Sequence, residues 1–201
     1  MYRFAAGCCR LFVKIFYKNT VFWEFDPKTF FGPAIIAPNH ASYFDPLVVA
    51  GSWDGELHFF AGGHIFKKRW LNRILPRVNT HPVVKGQELV TLRSALELLE
   101  QGKRVVLFPE GTRSQDGKVQ SLQRGVAFLA IQAQAPIIPC YLRGTYEAWP
   151  RHRRWPYLFG RRTSCIFGRP ISPCGEDGNP ISKAQLTEMI QAELARLATR
   201  Y

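Results

Sequence analysis

The sequence predicts an α/β fold with a largely parallel sheet flanked by helices. Short apolar runs alternate with helical patterns along most of the chain, as expected for strands joined by crossover helices. The run 105–108 is apolar at every position and directly follows a helical pattern, which indicates a strand covered on both faces. With 46% hydrophobic and 13% aromatic residues among 201, the chain can bury one sizeable core in one domain.

Residues 1–20 predict an amphipathic, membrane-associating helix. On a wheel of about 100° per residue, the basic side chains fall within about 80° and nearly all the others are apolar. A narrow basic stripe beside a wide apolar face is typical of helices that lie in a lipid interface; a helix packed on the domain is the alternative. The segment lacks the roughly 18 uncharged residues of a spanning helix. Its basic residues are Arg3, Arg10, Lys14 and Lys18.

Five further apolar runs predict the strands of the sheet. They lie at residues 34–37, 58–61, 82–84, 105–108 and 137–142. Helices are predicted at about residues 46–51, 64–75, 87–101 and 122–134. The pattern over 87–101 is the clearest, because its leucines form one apolar face and Gly102 suits the C-terminal stop. A last helix begins at Ser182, where Gln185 three residues later makes a capping box.

The chain is strongly basic, with 27 Lys and Arg against 15 Asp and Glu and a formal net charge of +12. Such an excess attracts anionic lipid, nucleic acid or an acidic protein. Between Glu147 and Glu176, arginines mix with aromatic residues and no acidic residue occurs. This mixture best suits a lipid headgroup layer, and it also fits nucleic acid or a solvated loop. The segment 64–75 carries a second basic amphipathic pattern.

The first candidate site follows the predicted strand 34–37. His40 lies just beyond this strand and Asp45 comes five positions later, at the edge where open α/β sheets bind ligands. A loop that folds back before Pro46 can bring the carboxylate to the imidazole, and such a pair is a general base tuned near neutral pH. Alternatively, Asp45 is only the N-cap of a helix that has Pro46 at its first position.

The second candidate site is Phe-Pro-Glu-Gly-Thr-Arg-Ser at residues 108–114, directly after the predicted strand 105–108. It leaves the same edge of the sheet as His40. A tight glycine-bearing loop presents backbone N–H groups and the Thr112 hydroxyl, and Arg113 offers a planar fork that grips phosphate through two bonds. The motif therefore suits a phosphate monoester. An ordinary charged turn is the alternative.

Metal chemistry is not expected. The five histidines show no ligand spacing, in contrast to the closely spaced ligands of structural and catalytic zinc sites. The five cysteines form no Cys-x-x-Cys pair, which fits reduced thiols in a cytosolic setting.

In combination, the His-x4-Asp stretch at 40–45 and the stretch 108–114 closely resemble the motifs of the glycerolipid acyltransferase family, in particular its bacterial 1-acylglycerol-3-phosphate type. The resemblance runs from about residue 32 to residue 149 and includes two weaker blocks, at 82–86 and 135–139. It implies a glycerol-3-phosphate acyltransferase-like sheet with the acyl site along one edge. We accordingly expect an acyltransferase domain over residues 21–201.

The resemblance also implies roles for single residues. His40 would be the base, Asp45 would orient it, and Glu110, Gly111, Thr112 and Arg113 would bind the substrate. Lys85 would bind it as well, at a position where the family more often has arginine. A lysine keeps the charge and loses the bidentate fork, so this position departs from the family pattern.

The implied reaction transfers a fatty acyl group from acyl-CoA or acyl carrier protein to 1-acylglycerol-3-phosphate, giving phosphatidic acid, with no cofactor. The implied location is peripheral or monotopic on the cytoplasmic membrane, with the site facing the cytoplasm. Three rivals stay open: another lysolipid headgroup as acceptor, a thioesterase or esterase that uses the same His-Asp pair, and a nucleic-acid-binding protein. The last is supported by charge alone, so no nucleic-acid partner is expected.

Overall fold

A computed structural model describes residues 1–83, 86–175 and 178–200. Its strands are β1 Thr20–Trp23, β2 Ala34–Pro38, β3 His58–Gly62, β4 Thr80–Val83, β5 Arg104–Val106, β6 Ile137–Arg143 and β7 Ser164–Phe167. Its helices are α1 Tyr2–Tyr17, α2 Asp45–Ser52, α3 Gly63–Phe66, α4 Arg69–Ile74, α5 Glu88–Glu100, α6 Gly125–Ala133, α7 Thr145–Ala148 and α8 Lys183–Arg200, with a 3-10 turn at Leu75–Val78.

The strands form one seven-stranded sheet in the order β1-β7-β6-β2-β5-β3-β4. The five strands from β6 to β4 are mutually parallel, whereas β7 runs antiparallel to β6 and β1 runs parallel to β7. The predicted α/β fold with a largely parallel sheet is therefore confirmed. Because the five parallel strands share one direction, their carboxyl ends lie at one edge of the sheet.

Both faces of the sheet are covered. Helices α1 and α2 pack on one face, and α5, α6 and α8 pack on the other. Along β2, Ile36 belongs to the first core and its neighbours Ile35 and Ala37 belong to the second, as the alternation of side chains in a strand requires. All three are 0% exposed. This double burial explains why the strands read as uninterrupted apolar runs.

All five predicted strands occur, with small shifts at their ends. Strand β5 ends at Val106 rather than residue 108, although the Leu107 N–H still donates to the Ile36 carbonyl at 3.0 Å. Strand β4 begins at Thr80, and the predicted end at Val84 lies outside the described residues.

The single helix predicted over 64–75 is wrong. The structure has two short helices, α3 and α4, separated by an extended Lys68, and then the 3-10 turn. The break lies at residues 67–68, where Lys68 has an extended backbone with ψ 116°, and Pro76 in the following turn accounts only for the end of the helical segment. The segment therefore does not form one continuous helical face.

The reversed strands β1 and β7 were not predicted. Each has four residues, and β1 is only partly buried. Their pairing joins positions 20–23 to 164–167, so the contact that makes them strands is remote in sequence and leaves no local pattern.

Helix α1 packs on the domain and also carries a second apolar surface. Its inner side buries Tyr2, Val13 and Tyr17, whereas Phe4, Leu11 and Ile15 point outward with 78%, 60% and 59% exposure. We call these last three the outward stripe. Among the described residues, no helix has the length and apolar character needed to cross a bilayer.

One member of the predicted basic stripe of α1 has a structural role. The Arg10 guanidinium donates to the carbonyls of Gly51 at 3.0 Å and Trp53 at 2.9 Å, at the C-terminus of α2. The two helices cross closely there, because a Cβ on Gly51 would lie 2.9 Å from the Arg10 backbone nitrogen. Arg10 therefore attaches α1 to α2.

Candidate active site

His40 lies at the carboxyl end of β2, in a loop that is fixed to the neighbouring strand β6. The preceding residue, Asn39, is 2% exposed; its side-chain oxygen accepts from the Leu142 N–H at 2.6 Å and its amide donates to the Leu142 carbonyl at 3.3 Å. These two bonds hold the start of the loop as a strand pair would. Sequence reasoning did not identify this role of Asn39.

The loop folds back and brings the His40 imidazole to the Asp45 carboxylate. Nδ1 of His40 lies 2.8 Å from Oδ2 of Asp45, and the same oxygen accepts from the backbone N–H groups of Ala41 at 2.7 Å and Ser42 at 2.8 Å. The Asp45 side chain is 0% exposed and that of His40 is 18% exposed. With the Nδ1 proton directed to the carboxylate, Nε2 is free to accept a proton.

The alternative in which Asp45 is an N-cap is wrong. Phe44 occupies the N-cap position of α2, and no side-chain cap bond is present there. The carboxylate turns back because three donors of the preceding loop converge on Oδ2. Ser42 fixes this turn, since its hydroxyl accepts from the Phe44 N–H at 3.0 Å and donates to the Trp149 carbonyl at 2.7 Å.

The loop 108–114 lies against the His40 loop, as the shared sheet edge predicts. The Phe108 ring stacks on the His40 imidazole, with ring centres 3.9 Å apart. The Ser114 N–H donates to the His40 carbonyl at 2.7 Å, and Oε1 of Glu110 accepts from the His40 N–H at 2.7 Å. Three contacts of different kinds therefore fix the position of His40.

The Arg113 side chain lies over the loop that contains His40 and Tyr43. Its guanidinium carbon lies 3.5 Å from the centre of the Tyr43 ring, three residues beyond His40 in the chain. Its Nη1 is buried and has no hydrogen-bond acceptor among the described residues. A buried, unpaired guanidinium N–H is costly.

A polar cavity of about 590 Å³ borders Arg113. Glu110, Thr112, Arg113 and Arg151 line it, with the Asp116 carboxylate also in its wall. Gly111 has φ 69°, a left-handed conformation that glycine adopts without strain. It turns the chain so that Thr112 is exposed next to Arg113.

An apolar cavity of about 290 Å³ lies on the other side of Phe108. Phe108 lines this cavity while it stacks on the His40 imidazole, and the His40 backbone N–H donates to Glu110 in the wall of the polar cavity. Sequence reasoning missed the apolar cavity, because its lining comes from α1, α2, β3 and the 3-10 turn. Its lining includes Ala5, Ala6, Cys9, Leu47, Ala50, Ile65, Leu75 and Val78.

Comparison with known proteins shows the family of this chain. The family model described as Acyltransferase matches residues 26–143, which include both loops of the site. The chain belongs to the acyltransferase family. The sequence is 25% identical over 160 residues to the 1-acyl-sn-glycerol-3-phosphate acyltransferase of Bacillus subtilis, covering 79% of this chain and 76% of that protein.

Two further comparisons extend the result. The chloroplastic 1-acyl-sn-glycerol-3-phosphate acyltransferase LPAT1 of Arabidopsis thaliana is 28% identical over 121 residues, covering 59% of this acyltransferase and 34% of the plant protein. The crystal structure of the 1-acyl-sn-glycerophosphate acyltransferase PlsC from Thermotoga maritima superposes with a TM-score of 0.76 at 23% identity, covering 100% of this chain and 82% of that one. The structural likeness supports the fold.

Lys85, which was also predicted to bind substrate, lies outside the described residues. Within residues 1–83, 86–175 and 178–200, no three His, Cys, Asp or Glu side chains are grouped as metal ligands would be.

Glu110, predicted to bind substrate, has both carboxyl oxygens engaged inside the acyltransferase. Oε2 accepts from the Gln120 N–H at 3.1 Å while Oε1 accepts from His40, and the residue is 3% exposed. Burial raises the pKa of Glu110 to about 7, against the opposing effect of these two backbone donors. Its contacts connect the His40 loop to the segment before α6.

This raised pKa predicts a pH-dependent contribution to stability. Between the ordinary value of 4.5 and about 7, the folded chain keeps a proton on Glu110 that the unfolded chain releases. The stabilisation is therefore complete below the lower value and is lost as pH rises through the upper one. We expect the Tm of the wild type, minus that of Glu110→Gln, to fall between about pH 5 and about pH 8. A difference that stays constant over this range would contradict the raised pKa.

Proposed function

We propose that this acyltransferase moves a fatty acyl group from an acyl thioester to the free hydroxyl of 1-acylglycerol-3-phosphate, giving phosphatidic acid. One observation carries the proposal: the His40 imidazole stacks on Phe108 of an apolar cavity, and the His40 backbone N–H donates to Glu110 of a polar cavity that Arg113 also lines. A lysophosphatidic acceptor and a fatty thioester need these two environments side by side. The names of the Bacillus and Arabidopsis relatives support the same acceptor.

The acceptor hydroxyl becomes a good nucleophile when Nε2 of His40 removes its proton. The oxygen then attacks the thioester carbonyl, the new C–O bond forms and the C–S bond breaks. The proton held by His40 passes to the departing thiolate. Asp45 stabilises the imidazolium and fixes its tautomer.

No acyl-enzyme intermediate is needed, because a thioester already carries a good leaving group. Ser42 has no catalytic duty in this scheme. Its buried hydroxyl is engaged by Trp149 and Phe44, which keeps it in a structural role.

The acceptor phosphate would bind in the polar cavity. Arg113 supplies a planar fork, and Gly111 and Thr112 supply a tight loop with exposed donors. Lys85 would add a positive charge. Glu110 would act on the phosphate site through the two loops that its carboxyl joins.

The apolar cavity would take the acyl chain. Its lining is almost wholly hydrophobic, and it reaches Phe108 beside His40. A chain in this cavity would hold its carbonyl near the base, which is the positioning effect that bimolecular reactions gain most from. The donor would be acyl-CoA or an acyl carrier protein, and no cofactor takes part.

The acceptor is a lipid, so we propose that residues 1–20 associate with the membrane and residues 21–201 form the acyltransferase domain. The outward stripe of α1 is flanked by the exposed basic residues Arg3, Lys14 and Lys18, the arrangement of a helix that lies in an anionic interface. The protein would be peripheral or monotopic on the cytoplasmic membrane, with its site facing the cytoplasm. Nucleic acid is not a partner in this proposal.

The test is an acyl-transfer assay of the purified protein in lipid micelles, with both donor types and with lysophosphatidate set against neutral lysolipids. We expect phosphatidic acid as the main product. Preference for an acceptor without phosphate would move the protein to another branch of the family. Release of free fatty acid without any acceptor would instead favour a thioesterase or esterase.

The Arg113→Lys variant tests the phosphate site. Lysine keeps the charge and loses both the fork and the stacking on Tyr43, so we expect the KM for lysophosphatidate to rise about tenfold or more, with a smaller change in kcat. Arg93→Lys is the matched control, because Arg93 is exposed on α5, on the other face of the sheet. An unchanged KM in Arg113→Lys would place the phosphate elsewhere.

A further inference from the structure

The segment 149–162, which joins α7 to β7, exposes large apolar side chains. We call it the aromatic-arginine loop. Trp155 is 68% exposed, Phe159 is 73% exposed and Leu158 is 45% exposed. Scattered apolar residues are normal on a surface, but three large ones within five positions form a patch that indicates a contact surface.

The arginines of this loop are stacked on its own aromatic rings. The guanidinium of Arg153 lies 3.6 Å from the centre of the Tyr157 ring, with Arg161 at 5.1 Å from the same ring, and Arg154 lies 5.7 Å from the Trp155 ring. None of the ion pairs found among the described residues involves these arginines. Their charge is therefore available to an anionic surface.

The loop lies beside the outward stripe of α1. The Phe159 ring packs on Phe16, with centres 5.5 Å apart, and the Thr163 N–H donates to the Tyr17 carbonyl at 3.0 Å. Phe16 is the neighbour of Ile15, the last residue of the outward stripe. The exposed loop therefore contacts α1 one position from the end of the outward stripe.

The start of the same loop forms part of the candidate active site. Arg151 lines the polar cavity, and its Nη1 donates to the Arg113 carbonyl at 3.3 Å. The Trp149 ring lies 5.4 Å from the Tyr43 ring, on which Arg113 is stacked. One short segment thus connects the polar cavity to an exposed apolar patch.

We propose that the aromatic-arginine loop is a second lipid contact beside α1, and that it inserts Trp155 and Phe159 into an anionic bilayer. This contact would place the polar cavity at the depth of the lipid headgroups. This inference rests on the proposed function and adds how a membrane-resident acceptor reaches the site. Tryptophan prefers the interface because its ring is apolar and its N–H is polar, and the surrounding arginines attract anionic headgroups. The acceptor would then move laterally from the bilayer into the cavity.

The test compares the wild type with the double variant Trp155→Ala/Phe159→Ala. Binding is measured by flotation with vesicles of phosphatidylcholine and phosphatidylglycerol. Transfer is measured with a long-chain lysophosphatidate held in those vesicles and with a short-chain, water-soluble lysophosphatidate. We expect vesicle binding and kcat/KM for the vesicle-held acceptor to fall about tenfold or more, and kcat/KM for the soluble acceptor to stay within about twofold.

The matched control is Leu89→Ala/Val90→Ala, which removes two exposed apolar side chains, 78% and 55% exposed, from α5 on the opposite face of the sheet. It should leave both vesicle binding and transfer unchanged. A failure of the proposed function is recognised separately, because the wild type would then be inactive on the soluble acceptor while flotation still reports on lipid binding.

Three results would overturn the lipid contact. The first is unchanged flotation of the loop variant. The second is an equal loss of activity on both acceptors, which would make the loop only a structural wall of the site. The third is a loop variant that binds vesicles normally but has lost binding to single-stranded DNA or to an acidic carrier protein, measured in the same way with those partners. That result would assign the surface to that partner.

Discussion

Replacing His40 with alanine is expected to abolish measurable acyl transfer while the fold persists. General-base catalysis typically contributes a factor of about 10² to 10⁴, and the His40–Asp45 pair is the base of the proposed reaction. The check is kcat with lysophosphatidate and a saturating thioester donor. The decrease should appear in kcat, with the KM for lysophosphatidate changing much less, because the proposal assigns binding of the phosphate to Arg113.

The structure explains why the fold should survive this change. The loop is held by the backbone of His40, whose N–H donates to Glu110 and whose carbonyl accepts from Ser114, and both bonds remain in an alanine variant. The far-ultraviolet circular dichroism should therefore match that of the wild type, with a cooperative thermal transition retained. Normal turnover in a folded His40→Ala protein would refute the assignment of the base.

The Asp45→Asn variant is expected to lose a factor of about 10² to 10⁴ in kcat and also to lose stability. A neutral amide cannot stabilise the imidazolium. If its oxygen takes the position of Oδ2, its NH₂ group occupies the buried site of Oδ1, which has no hydrogen-bond partner among the described residues. An unsatisfied buried donor costs about 1 to 3 kcal/mol. The measurements are kcat and the free energy of unfolding.

Asp54→Asn is the control for this change, since the Asp54 side chain is 96% exposed and its ion pair with Arg10 spans 3.6 Å. We expect its kcat to equal that of the wild type and its free energy of unfolding to change by no more than about 1 kcal/mol. If Asp45→Asn behaved in the same way, the contacts of the buried carboxylate would have no catalytic importance.

The features that could be predicted from the sequence are those determined by local chemistry. Strand β2 is apolar at successive positions because it is covered on both faces. The four apolar residues 34–37 were therefore enough to predict a buried strand. The two candidate loops were found because each follows such a strand and carries residue types with a specific chemistry. Their proximity followed from the parallel sheet, in which carboxyl ends share an edge.

The features that could not be predicted depend on contacts between distant parts of the chain. The β1–β7 pair requires residues 20–23 and 164–167 to meet. The apolar cavity needs α1, α2 and β3 in place, and nothing in the individual segments indicates an empty space between them. The approach of Asp45 to His40 was one of two readings of the sequence, but the backbone donors of Ala41 and Ser42 were not predicted, because they belong to a loop whose shape depends on Asn39 and Glu110.

The most direct test of the account is a crystal structure of the wild-type protein with lysophosphatidate bound and no acyl donor present. The account predicts that the phosphate contacts the Arg113 guanidinium and that the free hydroxyl oxygen lies about 3 Å from Nε2 of His40. A phosphate bound away from Arg113, or a hydroxyl beyond the reach of His40, would contradict it.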